Sequence, residues 1–151
     1  MTNNPVIIVC PHCSGLNRIP SDRLGDKPVC GKCKHHLFAG QPVELNSNNF
    51  DQHLSANEIP LVIDFWAPWC GPCKVMGPAF AQAAAELEPR IRLAKLNTEA
   101  EPDIAMRMKI SSIPTMILFQ HGKELQRHSG AMTAAGISNW VKSVMNTVGR
   151  N

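Results

Sequence analysis

The hydrophobic positions between residue 41 and the C-terminus alternate between short strand-like runs and stripes of helical spacing. Leu61–Trp66 is an almost continuous apolar run, which predicts a strand buried on both faces of a sheet. After Cys70 the apolar side chains recur at helical spacing, which predicts a long helix that Pro78 kinks rather than ends. We predict strands over 42–45, 61–66, 91–96, 115–119 and 125–129, and helices near 47–54, 70–87, 104–108 and 137–148. This alternating order predicts an α/β domain.

The first forty residues follow a different pattern. They are dense in glycine, proline, cysteine, histidine and charge, and they contain no apolar stripe of helical length. A chain of about 40 residues usually needs a disulfide, a metal or a partner in order to fold. We therefore predict a small N-terminal domain over 1–40 and a main domain over 41–151.

Charge and composition exclude some classes of function. The net charge is +3, with five Lys or Arg against three Asp or Glu in residues 1–45 and ten against nine in the remainder. Neither part has the basic stripe or aromatic platform expected for binding nucleic acid. The N-terminus lacks the basic region of a signal peptide, and no apolar stretch is long enough to span a bilayer. We expect a cytoplasmic protein with no membrane contact.

All six cysteines fall in three Cys-x-x-Cys pairs, and two of the pairs have the spacing of a metal site. Sixteen residues separate Cys10 and Cys13 from Cys30 and Cys33, which fits a four-cysteine zinc site. Four thiolates would close the coordination shell, so the expected role is structural. Iron in place of zinc is an alternative.

Two other interpretations of the N-terminal cysteines were weighed. The run from Val6 to Val9 before Cys-Pro-His-Cys is similar to a strand that leads into an oxidising disulfide site, but Ser14-Gly15 and Pro20 interrupt any helix after it. Three histidines could substitute as metal ligands, although four cysteines already fill the shell. These are His12, His35 and His36.

Cys70 and Cys73 follow a buried strand and open a long helix. Free backbone N–H groups and the helix dipole favour an anion in the first helical turn, which lowers the pKa of a thiol there. Such a thiolate can attack a disulfide, and a cysteine three residues later lies on the same face and can resolve the mixed disulfide. The pattern predicts a redox-active pair.

Asp64 interrupts the apolar strand before this pair. A carboxylate in that position costs several kcal/mol unless it is paired or protonated, and desolvation raises its pKa. We predict that Asp64 is the proton acceptor for Cys73. A structural ion pair is the alternative, and Lys95 in the neighbouring strand is the candidate partner under either interpretation.

The stretch Asp64-Phe-Trp-Ala-Pro-Trp-Cys-Gly-Pro-Cys-Lys74 resembles the active-site signature of the thioredoxin family. Ala94-Lys-Leu-Asn97, Ile113-Pro-Thr115 and Ser129-Gly-Ala131 stand where that family has its buried lysine, its cis-proline loop and its substrate-groove glycine. The N-terminal cysteine pairs narrow the resemblance to the bacterial thioredoxins with a zinc-binding domain. The resemblance implies a central mixed five-stranded sheet flanked by four helices, preceded by a small zinc-ribbon-like domain.

The same resemblance implies roles for individual residues. Cys70 would be the nucleophile and Cys73 the resolving thiol, with Asp64 as the buried base assisted by Lys95. Pro114 would follow a cis peptide bond. The groove around the cysteines would comprise Trp69, Gly71, Pro72, Ile113, Pro114, Gly130 and Ala131, whereas ordinary packing is the preferred role of Trp66.

The implied activity is reduction of disulfides in protein substrates, with electrons supplied by an NADPH-dependent thioredoxin reductase and no bound organic cofactor. The Gly-Pro dipeptide between the cysteines is similar to that of the reductases of this fold. An alternative is that the N-terminal domain acts as a redox-responsive interaction or chaperone-like module that releases zinc when its thiolates are oxidised.

Overall fold

A computed structural model describes residues 4–149, so residues 1–3 and 150–151 at the ends of the two predicted domains lie outside it. The strands and helices have the following bounds: β1 Pro5–Val9, β2 Leu16–Pro20, β3 Val43–Leu45, α1 Phe50–Ala56, β4 Leu61–Trp66, α2 Gly71–Leu87, β5 Arg92–Asn97, α3 Pro102–Arg107, β6 Thr115–Gln120, β7 Lys123–Ser129 and α4 Ala134–Gly149. A short 3-10 helix follows β2. No helix within residues 4–149 has the length and apolar character needed to cross a bilayer.

The main sheet has the strand order β3-β5-β4-β6-β7. Strands β3, β5 and β4 are parallel to one another, β6 runs antiparallel to β4, and β7 runs antiparallel to β6. The element order predicted for the main domain is confirmed, as is the mixed five-stranded sheet with four helices. This is the thioredoxin fold, and it brings the C-terminal end of β4 and the start of α2 to one edge of the molecule.

Apolar residues cover both faces of the sheet. On one face, Val62 of β4 packs with Met76 and Phe80 of α2 and with Ile137 of α4. The other face belongs to a second cluster, in which α1 and α3 contribute apolar side chains such as Phe50. Side chains alternate along β4, so Asp64 points to the same face as Val62 and lies under α2 and α4.

Two helix boundaries test the sequence predictions. Helix α2 continues through Pro78 to Leu87, so the expectation that proline does not end it is confirmed. The sequence favours Asn46 or Ser47 as the N-cap of α1, and this prediction is wrong. The Asn46 side chain instead accepts hydrogen bonds from the N–H groups of Asn48 and Asn49 and closes a turn before the helix. Asn49 is the N-cap residue.

The N-terminal part is a two-stranded antiparallel hairpin, β1 with β2, followed by a loop that carries the second cysteine pair. Its buried apolar residues include Ile8 and Leu37, and they form one cluster with Ile59 of the main domain. The small domain therefore completes its core with a residue of the larger one, which follows from the shortage of apolar positions in its sequence.

A buried polar network joins the two parts. Arg92, which is 1% exposed, forms an ion pair of 2.7 Å with Glu88 and donates to the carbonyl of Leu37 at 2.8 Å. Its guanidinium also donates to the carbonyl of Val9 at 3.4 Å. The second carboxylate oxygen of Glu88 accepts from the N–H of Gly40 at 2.8 Å. Two main-domain side chains, Arg92 and Glu88, thus form hydrogen bonds with backbone groups of the N-terminal part.

Candidate functional site

The Cys70–Cys73 pair lies at the N-terminus of α2. Strand β4 ends at Trp66, a turn follows, and the helix begins at Gly71, so Cys70 is the N-cap residue. The sulfur of Cys70 accepts a hydrogen bond from the N–H of Cys73 at 3.3 Å. Both cysteines are buried, and they are joined as a disulfide. The oxidised form of a dithiol couple is therefore compatible with this helix start.

The loop before β6 lies against this pair. The sulfur of Cys70 is 3.9 Å from the carbonyl oxygen of Ile113, and the Ile113–Pro114 peptide bond is cis, as the resemblance implied. The N–H of Gly130 donates to the carbonyl of Pro114 at 2.9 Å. Gly130 has φ of 107°, a region that disfavours side chains. The start of α2 and the loop before β6, which are far apart in sequence, thus lie together at the Cys70 sulfur.

The rim around the pair is open and largely apolar. Trp69 is 69% exposed, and Ile113 is half-buried next to the cysteines. Four more of the residues expected to form the groove are exposed here, namely Gly71, Pro72, Gly130 and Ala131, whereas Pro114 is buried. The rim meets a cavity of about 470 Å³ between α2 and the start of α4, lined by Val75, Pro78, Ala79, Gln82, Ala131, Met132, Thr133 and Ala134.

Sequence reasoning did not select Val75 for this surface. It is 76% exposed although it is apolar. A lone exposed valine in a helix carries no signal of its own, because single apolar side chains are common on protein surfaces. Val75 is assigned to this surface only because it lines the same cavity as Ala131.

Asp64 is fully buried, and neither of its carboxylate oxygens has a hydrogen-bond partner in the described part of the chain. Burial raises the pKa of Asp64 to about 7; the charge of Lys95 opposes this rise and the charge of Glu44 adds to it. The predicted upward shift is confirmed. A carboxyl with a pKa near neutrality can exchange a proton with a neighbouring thiol at physiological pH.

Lys95 is the register neighbour of Asp64 on the adjacent parallel strand. Its amino nitrogen lies 4.6 Å from the centre of the Trp66 ring, a cation–π contact. No Asp64–Lys95 ion pair within 4.0 Å occurs among residues 4–149. The alternative of a close structural ion pair is therefore not the arrangement seen here.

The other four cysteines form one cluster. The sulfurs of Cys10, Cys13, Cys30 and Cys33 all lie within 4.8 Å of one another, and two of the separations are 3.6 Å. Zn–S bonds of about 2.3 Å in a tetrahedron place the sulfurs about 3.8 Å apart. The donor set and its spacing therefore fit a metal ion such as zinc.

Hydrogen bonds to the sulfurs support the charged form that a metal requires. The N–H of His12 donates to Cys10 at 3.3 Å, and the N–H of Lys32 donates to Cys30 at 3.4 Å. Backbone hydrogen bonds, led by the one from Cys33, lower the pKa of Cys30 to about 5, whereas burial raises the pKa of Cys10 to about 12 in the absence of a metal charge. Donors aimed at ligand sulfurs are the usual second layer around a metal–thiolate site.

The local structure around the four-cysteine cluster differs from that around the redox pair. Turns occupy residues 11–13 and no helix begins at Cys10, in agreement with the rejection of a second disulfide site there. His12 and His35 stack with ring centres 4.0 Å apart, and the Nδ1 atom of His35 lies 3.4 Å from the sulfur of Cys33. His36 is exposed. The four sulfurs complete a ligand set without the histidines.

A mixed five-stranded sheet with a dithiol at the start of a helix after its central strand defines a thiol–disulfide oxidoreductase. Residues 41–143 match the family model described as Thioredoxin, and residues 9–35 match the model described as Thioredoxin 2, N-terminal. The chain therefore belongs to the thioredoxin family, whose members are disulfide oxidoreductases, and it carries the N-terminal ribbon of the Thioredoxin 2 group.

Individual relatives agree with this assignment. The chain is 41% identical over 136 residues to Thioredoxin C-3 from Corynebacterium nephridii, covering 90% of this chain and 93% of that protein. It is 37% identical over 99 residues to a bifunctional thioredoxin reductase/thioredoxin from Mycobacterium leprae, covering 66% of this chain and 22% of that protein. The solved structure of chloroplastic thioredoxin z aligns with a TM-score of 0.64 and 25% identity, covering 70% of this chain and 96% of that one.

Proposed function

We propose that this protein reduces disulfide bonds of other proteins through a mixed disulfide at Cys70. The observation that carries the proposal is the Cys70–Cys73 disulfide at the N-terminus of α2. The Cys70 thiolate attacks one substrate sulfur and expels the other as a thiolate. Cys73 then attacks the Cys70 sulfur, and the substrate sulfur that was bonded to Cys70 leaves as a thiolate. Two electrons have then passed from the dithiol to the substrate.

Proton transfer accompanies the second step. Cys73 must lose its proton before it attacks, and Asp64, buried on the side of the sheet that α2 covers, is the proposed acceptor. Lys95 stabilises the carboxylate that accepts it. The N–H of Cys73 points at the sulfur of Cys70, so the same contact favours negative charge on the nucleophile.

Substrate binding is assigned to the rim. The exposed ring of Trp69 and the backbone of Ile113 border the cysteines, and we propose that an extended substrate segment pairs with that backbone. The remaining groove positions are proposed for Gly71, Pro72, Pro114, Gly130 and Ala131. The space around Gly130 is open to an approaching substrate segment, because even a Cβ added at this position would contact nothing within 4 Å.

Regeneration of the dithiol needs an external reductant. We propose an NADPH-dependent thioredoxin reductase, as the Mycobacterium leprae relative that joins a reductase and a thioredoxin in one protein suggests. The proposed location is the cytoplasm, where such a system keeps thiols reduced.

The four-cysteine cluster is proposed to hold one structural zinc ion. Cys10, Cys13, Cys30 and Cys33 would be its ligands, and a closed four-sulfur shell offers no position to a substrate. The predicted division at residue 40 then separates a metal-stabilised ribbon from the oxidoreductase domain. Iron is the alternative metal.

Insulin reduction tests the proposed activity. With NADPH and thioredoxin reductase, the full chain should reduce insulin disulfides, and Cys70→Ser should abolish turnover. Cys73→Ser should instead accumulate a mixed disulfide through Cys70, visible by mass spectrometry. Turnover by the Cys70→Ser variant would contradict the assignment.

A second candidate concerns the ribbon. Cys13 is exposed, so an oxidant can reach one of the proposed ligands directly. Oxidation of the thiolates would release the metal and loosen the ribbon, which could then act as an interaction or chaperone-like module. Native mass spectrometry before and after peroxide treatment tests this function, and an unchanged metal content in the oxidised protein would exclude it.

A further inference from the structure

Three charged residues form one row across the parallel strands of the main sheet. Lys95 on β5 is the register neighbour of Glu44 on β3 and of Asp64 on β4. Register neighbours in a parallel sheet point to the same face, and adjacent strands lie about 4.8 Å apart. Lys95 therefore stands between two carboxylates, one on each side.

The burial of these residues changes steadily along the row. Glu44 is exposed, Lys95 is half-buried and Asp64 is fully buried. Glu44 is on the edge strand, and the alternating burial of Val43 and Leu45 around it places its side chain away from the apolar cluster below. The row thus connects solvent to the buried acid.

Helix α2 leaves room above this row. Glu44 and Lys95 line a cavity of about 340 Å³ together with Gly77 and Ala81. A Cβ at Gly77 would contact nothing within 4 Å, so the space is not filled by packing. The amino group of Lys95, now over the Trp66 ring, has room to move toward Glu44 in this cavity.

Few other charges act on Asp64. Its carboxylate has no hydrogen-bond partner in the described structure, so burial and nearby charges decide its proton affinity. On the side of Asp64 away from Lys95, its register neighbour is the apolar Met116 on β6. The register neighbour of Met116 on the next strand, β7, is His128. The titratable groups that share the sheet face of Asp64, or lie on the buried side of the helix above it, are Lys95 from β5, Glu44 from β3, Cys73 from α2 and, beyond Met116, His128 from β7.

We propose that Glu44 is a positioning residue for the reaction: it competes with Asp64 for the Lys95 ammonium group and thereby strengthens Asp64 as the acceptor of the Cys73 proton. Glu44 itself exchanges no proton with the cysteines. The charge effect has the required sign, because Lys95 lowers the pKa of Asp64 and Glu44 raises it. The role in catalysis rests on the proposed function, whereas the interaction among the three charges does not.

The first test measures Asp64 without any activity assay. In the full-length oxidised protein the two redox cysteines do not titrate, so the carboxyl carbon of ¹³C-labelled Asp64 can be followed by NMR against pH, with Asp64→Asn as its assignment. Glu44→Gln should lower the Asp64 titration midpoint by roughly 0.5 to 1 pH unit. Glu44→Asp should keep most of the parent midpoint, and Glu99→Gln, which removes the same charge from an exposed residue after β5, should leave it unchanged.

The second test connects the charge to the reaction. The acid side of the pH–rate profile for insulin reduction should move to lower pH in Glu44→Gln by the same amount as the NMR midpoint, and it should stay in place in Glu99→Gln. An unchanged midpoint in Glu44→Gln, or an equal change in Glu99→Gln, would overturn the proposal. A changed midpoint with an unmoved rate profile would overturn the positioning role. Failure of the parent protein to reduce insulin would instead overturn the proposed function, and the NMR titration would still decide the interaction of Glu44 with Asp64.

Discussion

Asp64 pairs high proton affinity with complete burial, and this combination has a cost for stability. Its folded pKa of about 7 lies above the ordinary value of 3.8. The folded state therefore binds the proton more tightly than the unfolded state, and the resulting stability is fully present below pH 3.8 and is lost as the pH rises through 7. At alkaline pH the protein retains a buried carboxylate without hydrogen-bond partners.

Asp64→Asn should therefore stabilise the protein in a pH-dependent way. We expect the free energy of unfolding to rise by about 2 to 4 kcal/mol at pH 8, with little change near pH 4. Urea unfolding of the oxidised protein at both pH values measures the difference. Asp103→Asn, at an exposed position in the first turn of α3, is the control; it should not stabilise the protein at either pH, and it should cost at most about 1 kcal/mol because the helix dipole favours an acid there. Equal stability of the parent and Asp64→Asn at pH 8 would contradict the burial argument.

Among the secondary-structure elements, the β6–β7 hairpin has a turn residue that departs from the usual preference for asparagine. His121 has φ of 53° and Gly122 has φ of 76°, both in the left-handed region. Two-residue hairpin turns favour Asn-Gly there, because asparagine tolerates this conformation better than other residues with a side chain. The glycine suits the second position of this turn, whereas the histidine at the first position is strained.

His121→Asn should relieve part of that strain. The free energy of unfolding should increase by a few tenths to about 1 kcal/mol, with insulin reduction unchanged. Thermal unfolding measures the gain. His121→Ala, which keeps the strained backbone without the local hydrogen bonding of asparagine, should not be stabilised. A gain of the same size in the alanine variant would show that the histidine side chain rather than the backbone was unfavourable.

Helix α1 shows why element boundaries were harder to predict than elements. Its apolar positions were recognised, but both Asn46 and Asn49 are suitable cap residues by type. The side chain of Asn46 instead accepts from Asn48 and Asn49 in the preceding turn, and the helix begins at Phe50. Two sequence-compatible alternatives differed in hydrogen bonds that composition does not reveal.

In the whole molecule, the ribbon and the main domain depend on one buried ion pair. Arg92 and Glu88 are 1% and 3% exposed at their side chains, and together they bind backbone groups of Val9, Leu37 and Gly40. Removing one partner from such a pair leaves an uncompensated buried charge, which typically costs 3 to 5 kcal/mol. The network also explains how a ribbon with few apolar residues is held.

Arg92→Ala should accordingly destabilise the full chain by about 3 to 5 kcal/mol in urea unfolding. The matched control is Arg127→Ala, because Arg127 pairs with Glu124 at 2.7 Å but both side chains are about a third exposed. Arg127 also donates to the backbone carbonyls of Met108 and Lys109, so this control removes similar contacts from a more exposed pair and should cost about 1 to 2 kcal/mol. Similar losses in the two variants would mean that burial of the Arg92 pair does not matter.

Metal removal should act on one part of the molecule only. If the four sulfurs hold zinc, chelation should remove the main support of the ribbon and expose the amides of β1 and β2 to hydrogen exchange. The central strands β4 and β6 have their own two-sided core and should keep their protection. Hydrogen exchange measured by mass spectrometry with and without chelator tests this expectation, and equal protection of β1 in both samples would contradict it.

Features that depend on local spacing can be predicted from the amino-acid sequence alone. Two Cys-x-x-Cys pairs at metal distance, a third pair at the start of a helix and an acid in an apolar strand all follow from neighbours along the chain, because helices, turns and strands have fixed periods. These features predicted an α/β domain, a redox pair and a four-cysteine metal site, and the resemblance to the thioredoxin family supplied the specific fold.

Which distant residues meet depends on strand pairing and on the packing of the two domains. Glu44 became a neighbour of Lys95 through the pairing of β3 with β5, and Arg92 became the anchor of the ribbon through acceptors at Val9 and Leu37. Neither residue stands out in the sequence, since an exposed glutamate and an arginine at the start of a strand are ordinary. Their roles arise from strand register and domain packing, and these depend on how surfaces far apart along the chain fit together.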